Sequence, residues 1–143
     1  NDAIKSILSA KLLEAQNRGI SISVEIEEPV SNFRIELLDF ITILSVLCDN
    51  AIEATIEAIS PRMTVAFMNN DDSLVLIVEN STKSEKVDVN HIFARGYSSK
   101  GEGRGLGLHN VNSVLEKYPK STITTRSANH LFSQTIRFCK VSL

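Results

Sequence analysis

The run Gly101-Glu102-Gly103-Arg104-Gly105-Leu106-Gly107-Leu108 holds four of the chain's six glycines at alternate positions. Alternating glycines let a backbone approach a ligand closely and take φ values closed to other residues. The run opens a helical pattern, and free amide N–H groups with the helix dipole there favour an anion such as phosphate. Lys100, Arg104 and Arg95 add positive charge beside it. It lacks the Gly-Lys-Ser/Thr ending of a P-loop, and it follows a long polar stretch instead of a strand, so a dinucleotide-binding loop does not fit. A plain surface loop is the alternative. The strict alternation, with Leu106 and Leu108 to anchor a helix, speaks for a phosphate cradle.

The second chemical signal is Leu47-Cys48-Asp49-Asn50-Ala51-Ile52-Glu53-Ala54. It lies in a long helical pattern whose apolar positions nearly encircle the axis: Ile35, Leu38, Ile41, Leu44, Leu47, Ala51, Ile52 and Ile56. A polar stripe of Thr42, Asp49, Asn50, Glu53 and Glu57 interrupts it. Asn50 and Glu53, three apart, share a helix face. A buried Asn costs free energy unless partnered. A solvated stripe, or an Asn bonded to backbone or water, accounts for these residues without a ligand. Beside a phosphate loop, the same side chains would offer Mg²⁺ the hard oxygen ligands it prefers.

The elements that must position these groups follow from periodicity. Ile4, Ile7, Leu8, Leu12 and Ala15 have helical spacing, ended by Gly19 as a C′ residue. Ile20, Ile22, Val24 and Ile26 alternate with polar residues as in a half-buried strand. Ser31 or Asn32 is expected to cap the long helix, which runs to about Ile59 before Pro61. Strands are expected at about Arg62–Met68 and Ser73–Glu79, joined by Asn69-Asn70-Asp71-Asp72, a turn of hairpin type. Leu74 to Val78 is apolar on both faces, which marks a central strand. Residues 80–104 lack regular periodicity, as in a lid or binding loop. A helix from Leu106 to Tyr118, stopped at Pro119, precedes strands at about Thr122–Ser127 and Phe132–Cys139, joined by Ala128-Asn129-His130. The order α-β-α-β-β-lid-α-β-β predicts a mixed sheet with helices on one face.

Composition sets the bounds. At 143 residues and 43% hydrophobic content the chain is one domain able to bury a core. Its net charge of −2 argues against nucleic-acid binding by bulk charge. No run of 18 apolar residues spans a bilayer, and no secretory leader is seen. Cys48 and Cys139 lack metal or redox spacing and read as buried thiols of a reducing compartment. The start at Asn1, inside a helical pattern, suggests an excised domain.

Together the two signals resemble the catalytic ATP-binding domain of sensor histidine kinases, in the GHKL superfamily shared with gyrase, Hsp90 and MutL. Leu47 to Ala54 is similar to that family's N-box. Gly103-Arg104-Gly105-Leu106-Gly107-Leu108 is similar to its GxGLGL motif, and Ile92-Phe93-Ala94-Arg95-Gly96-Tyr97-Ser98-Ser99-Lys100-Gly101 resembles the phenylalanine-containing box and lid. The flavour is nearest to Agr-type, AgrC-like quorum-sensing kinases of staphylococci, where Glu-Asn-Ser also stands in place of DxGxG. The resemblance covers nearly the whole chain. It implies the Bergerat fold: an α+β two-layer sandwich, its mixed, mostly antiparallel sheet covered on one face by helices.

The roles it implies are these. Asn50 ties Mg²⁺ to the triphosphate of ATP, with Glu53 beside it. Asn80 replaces the adenine-contacting aspartate and accepts from the adenine amino group; Ser81 and Lys83 stand where glycines are usual. Phe93 packs the lid, or serves the core. Lys100 lies against the terminal phosphates. Gly101, Gly103, Arg104, Gly105, Leu106, Gly107 and Leu108 wrap the phosphates. Asn50 and Lys100 are the catalytic pair. Four residues before Asn50 the family carries Asn, or Glu as the general base of its ATPases; here Val46 can neither orient nor deprotonate water. Phosphoryl transfer needs mainly positioning and charge neutralisation.

His91, His109 and His130 read as structural or surface residues. The phosphoacceptor histidine would belong to a separate dimerisation hairpin, of which residues 1–18 resemble the tail; residues 19–143 would be the catalytic domain. The resemblance thus implies half an enzyme, in the cytoplasmic part of a bacterial membrane receptor that dimerises and passes phosphate to a response regulator. The isolated chain is expected to be a monomer and not to autophosphorylate alone. A GHKL ATPase or switch module, an anti-sigma-type serine kinase and a non-catalytic interaction module are the alternatives on the same fold.

Overall fold

The computed structural model describes residues 2–26, 35–69, 73–86 and 106–139. Its elements are α1 (Asp2–Asn17), β1 (Ser21–Ile26), α2 (Leu37–Thr55), β2 (Arg62–Asn69), β3 (Ser73–Ser81), α3 (Leu106–Leu115), β4 (Thr122–Ala128) and β5 (Leu131–Cys139). The expected strands and helices are present, with shifted ends.

α1 ends as its glycine implies. Gly19 has φ +79, Ile20 N–H donates to Ala15 O at 3.0 Å, and Gly19 N–H donates to Gln16 O at 3.0 Å. These two bonds form a Schellman cap, and its apolar pair, Ile20 on Ala15, is buried in the core. The sequence therefore folds back at once into β1.

Among the described residues, five strands form one sheet in the order β1-β2-β3-β5-β4. β1 pairs parallel to β2, through Ser21↔Arg62 to Ile26↔Phe67, while every other pair is antiparallel. β3 is central, as its two apolar faces predicted. Side chains alternate across the sheet, so Leu74, Leu76 and Val78 of β3 and Ile136 and Phe138 of β5 point to one face. They join Phe40, Ile43, Leu44, Leu47, Ala51 and Ile52 of α2, Leu8 and Ala15 of α1, and Val111 and Leu115 of α3 in one core. Phe40 bridges the layers, its ring centroid 5.8 Å from Phe67 and 6.4 Å from Phe138. The fold is the expected α+β sandwich, a mixed sheet covered on one face by helices.

Several boundaries and exposures differ from expectation. α2 begins at Leu37 after the extended Glu36, so neither Ser31 nor Asn32 caps it. It ends at Thr55, short of Ile59, which is 96% exposed. The reason lies in tertiary bonding: Thr55 Oγ1 accepts from Arg62 N–H at 3.3 Å and shares a 2.6 Å hydrogen bond with Ser81 Oγ. The chain is thereby turned into β2 before the apolar pattern runs out. α3 ends at Leu115, followed by a turn to Tyr118. β3 continues through Asn80 and Ser81, where a loop was expected. Cys139 is exposed, against expectation, because strand alternation turns Phe138 inward and Cys139 outward. Ile26, at the outer end of edge strand β1, is also exposed. The turn at residues 70–72 lies outside the described residues.

Candidate functional site

The sequence assigned site roles to α2, the end of β3 and the start of α3, and the fold gathers these elements. α2 lies across β3 and packs against α3. Asn50 and Glu53 are both half-buried, on the polar stripe of a helix whose opposite side is fully buried. Asp49 is held by α1, its Oδ1 2.6 Å from Lys11 Nζ. Val46, four residues before Asn50, is partly buried against the core and has no polar atom to turn towards a ligand.

Asn80 closes the central strand and is 2% exposed. It has the same parity as Leu74, Leu76 and Val78, so it faces the helices. Its Nδ2 donates to Ser81 O at 3.0 Å. That bond orients the amide and leaves Oδ1 as the acceptor. The next residue locks the site's frame: Ser81 Oγ meets Thr55 of α2, accepts from Arg62 N–H at 3.0 Å and lies 2.9 Å from Ser60 O. Ser81 is thus a tie between α2, β2 and β3.

Beyond it, Thr82 N–H donates to His130 O at 2.8 Å, and His130 N–H donates to Glu85 O at 2.9 Å. Asn129 and His130 have φ of 54° and 62°. Two successive residues at positive φ form the tight turn that suits a two-residue hairpin. Thus the β4–β5 turn pins the segment after Asn80. His130 contributes its backbone N–H and C=O to this turn.

At the other end of α2, Asp39 is 8% exposed. Tyr118 OH donates to its Oδ2 at 2.6 Å, and Lys117 Nζ lies 3.4 Å from Oδ1. Glu36 N–H donates to the same Tyr118 hydroxyl at 3.1 Å. α3 is thereby fastened to the start of α2. Burial, then the bond to Asp39, raises the Tyr118 pKa above its ordinary value.

Leu106, Gly107 and Leu108 form the first turn of α3, where the sequence placed the helix start. Phe93, Lys100, Gly101, Gly103, Arg104 and Gly105 lie outside the described residues, as does His91. Among the described residues no group of three or more His, Cys, Asp or Glu could hold a metal ion. The oxygen donors of Asn50 and Glu53 suit a hard cation that keeps most of its ligands from water and phosphate.

Sequence reasoning missed Thr55, Ser81 as a tie, Lys11 and Gln134. Gln134 carried a legible signal: it interrupts Phe132, Ile136 and Phe138 at inward parity on β5. The others depend on contacts between distant segments and carried none.

The family model of the GHKL domain matches residues 35–139. The sensor protein CitS of Bacillus subtilis (strain 168) is 30% identical over 119 residues, 80% of this chain. The chain spans 22% of CitS. Among solved structures, the catalytic domain of histidine kinase ThkA superposes with TM-score 0.81 at 19% identity, covering 98% of this chain and 91% of that one. Full-length ShkA in complex with AMPPNP superposes with TM-score 0.75 at 15% identity, covering 97% of this chain and 30% of that one. The fold is thus that of histidine kinase catalytic domains, and with most of its length matched, the chain belongs to the GHKL domain family.

Proposed function

We propose that this chain is the ATP-binding catalytic domain of a sensor histidine kinase in a two-component system. The observation that carries the reading is the joint at the end of β3. Asn80 is buried towards the helices with its amide oriented by Ser81, and Ser81 is bonded to the last residue of the helix that bears Asn50 and Glu53. Adenine would meet Asn80 Oδ1 through its amino group. Asn50 would ligate Mg²⁺, Glu53 would lie beside it, and the cation would bridge and neutralise the phosphates. The glycine run from Gly101 to Gly107, with Lys100 and Arg104, would wrap the phosphates at the start of α3, and Phe93 would cover them. AMPPNP bound to ShkA supports the nucleotide assignment.

The acceptor is a histidine on a separate dimerisation domain, and the onward acceptor is an aspartate of a response regulator. We read residues 1–18 as the tail of the dimerisation hairpin, docked through Leu8 and Ala15 on the core of the catalytic domain of residues 19–143. The receptor is membrane-bound and dimeric, of the Agr-type quorum-sensing kind suggested by Glu79-Asn80-Ser81. Val46 offers no base for water, so transfer to protein is favoured over hydrolysis.

Calorimetric titration with ATP tests this reading, with and without Mg²⁺ and with GTP as control. Saturable ATP binding without turnover is expected. Asn50→Ala should weaken Mg²⁺-dependent ATP binding about tenfold or more, as loss of a metal-bridging ligand does, with the thermal transition retained. Equal Mg-ATP affinity in parent and variant would refute the metal assignment, and steady ATP turnover by the isolated chain would favour an ATPase.

A further inference from the structure

The helix-covered face of the sheet is apolar along β3 and β5 except at one end. There Gln134, 2% exposed, faces Val78 on one side and Thr125 on the other. Gln134 Nε2 and Thr125 Oγ1 are both buried, and neither has a hydrogen-bond partner among the described residues. Asn80 lies one step away, opposite Phe132 and diagonal to Gln134. Diagonal cross-strand neighbours stand roughly 7–8 Å apart, within reach of long side chains meeting a common object.

Buried polar groups without partners are rare in folded proteins, and each costs the desolvation of its donor or acceptor. Two on opposed positions of adjacent strands mark a place built for something else to bond. From this we infer that Gln134 is a specificity-determining residue for the nucleobase, with Thr125 beside it, an assignment that rests on the nucleotide-binding reading above. Asn80 Oδ1 accepts from the exocyclic amine, and Gln134 Nε2 donates to a ring nitrogen of the same base. An acceptor and a donor in that order match the amine and ring nitrogen of adenine. They oppose guanine, which presents a carbonyl oxygen beside a ring N–H. The base edge, meeting Asn80 and Gln134 together, supplies the partner that the buried Gln134 Nε2 lacks.

The test is titration of the 143-residue chain and its Gln134→Leu and Gln134→Glu variants with ATP and GTP, alongside thermal unfolding. Gln134→Leu should lose about tenfold in ATP affinity, the size of one well-placed hydrogen bond in a buried site. Its preference for ATP over GTP should narrow by a similar factor, with the unfolding midpoint unchanged or raised, because an orphaned polar group has been removed from the core. Gln134→Glu, which lacks the donor, should lose ATP affinity as well, and it carries the test if the Leu variant does not fold. A variant that unfolds earlier yet binds ATP like the parent would show that the amide serves only the fold, through a bridging water, and would overturn the inference. A parent that binds ATP beside an equally tight Gln134→Leu variant overturns the assignment of Gln134 alone. A parent that binds no nucleotide overturns the underlying reading together with this one.

Discussion

At the scale of single residues, the two cysteines show how far side-chain chemistry follows from placement. Cys48 is buried on α2, and burial, reinforced by the Asp49 carboxylate and opposed by Lys11, pushes its thiol from 9.0 up to about 12. Cys139 is exposed at the end of β5. A maleimide reagent should therefore label Cys139 quickly in the native chain and Cys48 only after unfolding; rapid labelling of two thiols in the folded protein would contradict this placement. The Cys48 shift also has a sign. The folded thiol keeps its proton where the unfolded thiol loses it, so stability from this source is complete below pH 9.0 and falls as pH rises from there towards about 12. Denaturation across alkaline pH should show that slope in the parent and less of it in Cys48→Ala. Parity alone would have turned Cys139 outward, but an apolar neighbourhood in sequence suggested otherwise. The motif marked Asn80 as a candidate, whereas the bond that orients its amide, from Nδ2 to Ser81 O, was not legible in it.

At the scale of elements, α2 and α3 were both legible as helices, because their apolar residues recur with the helical period. Their ends were not. Thr55 and Ser81 stop α2 early, and the Tyr118 hydroxyl receives the Glu36 N–H at its start. These bonds join segments 26 and 82 residues apart, so no local propensity encodes them. Tyr118, just past α3, satisfies a nearly buried carboxylate at the start of α2. Tyr118→Phe should lower unfolding free energy by about 1–3 kcal/mol, the usual cost of taking a hydrogen-bond partner from a buried charged group. Chemical denaturation measures it, and an unchanged midpoint would mean that Lys117 and water replace the hydroxyl at no cost. The Lys11–Asp49 pair, partly exposed on both sides, should matter less, at about 0–1 kcal/mol.

At the scale of the whole molecule, α1 shares one core with α2, α3 and the sheet, for Leu8 and Ala15 are buried with the residues of β3 and β5. Leu8→Ala should cost about 2–5 kcal/mol, as cavity-forming core truncations do, and should shift one cooperative transition. If α1 instead melted separately, by hydrogen exchange, with the sheet unaffected, the shared core would be refuted. The sequence by itself determined the kinds of element and their order, the apolar side of each, the central place of β3, the glycine run before α3 and the polar stripe around Asn50. Those properties are carried by periodicity and by residue type within a few positions of chain. Only the tertiary structure decided that β1 runs parallel to β2, that β5 lies between β3 and β4, that Ser81 ties two helix and strand ends together, and that Gln134 reaches the core beside Asn80. Periodicity says which side of an element is apolar, but it does not say which neighbour covers that side. The choice among neighbours is made by the total burial and hydrogen bonding of the assembled layers, to which residues far apart in the chain contribute together.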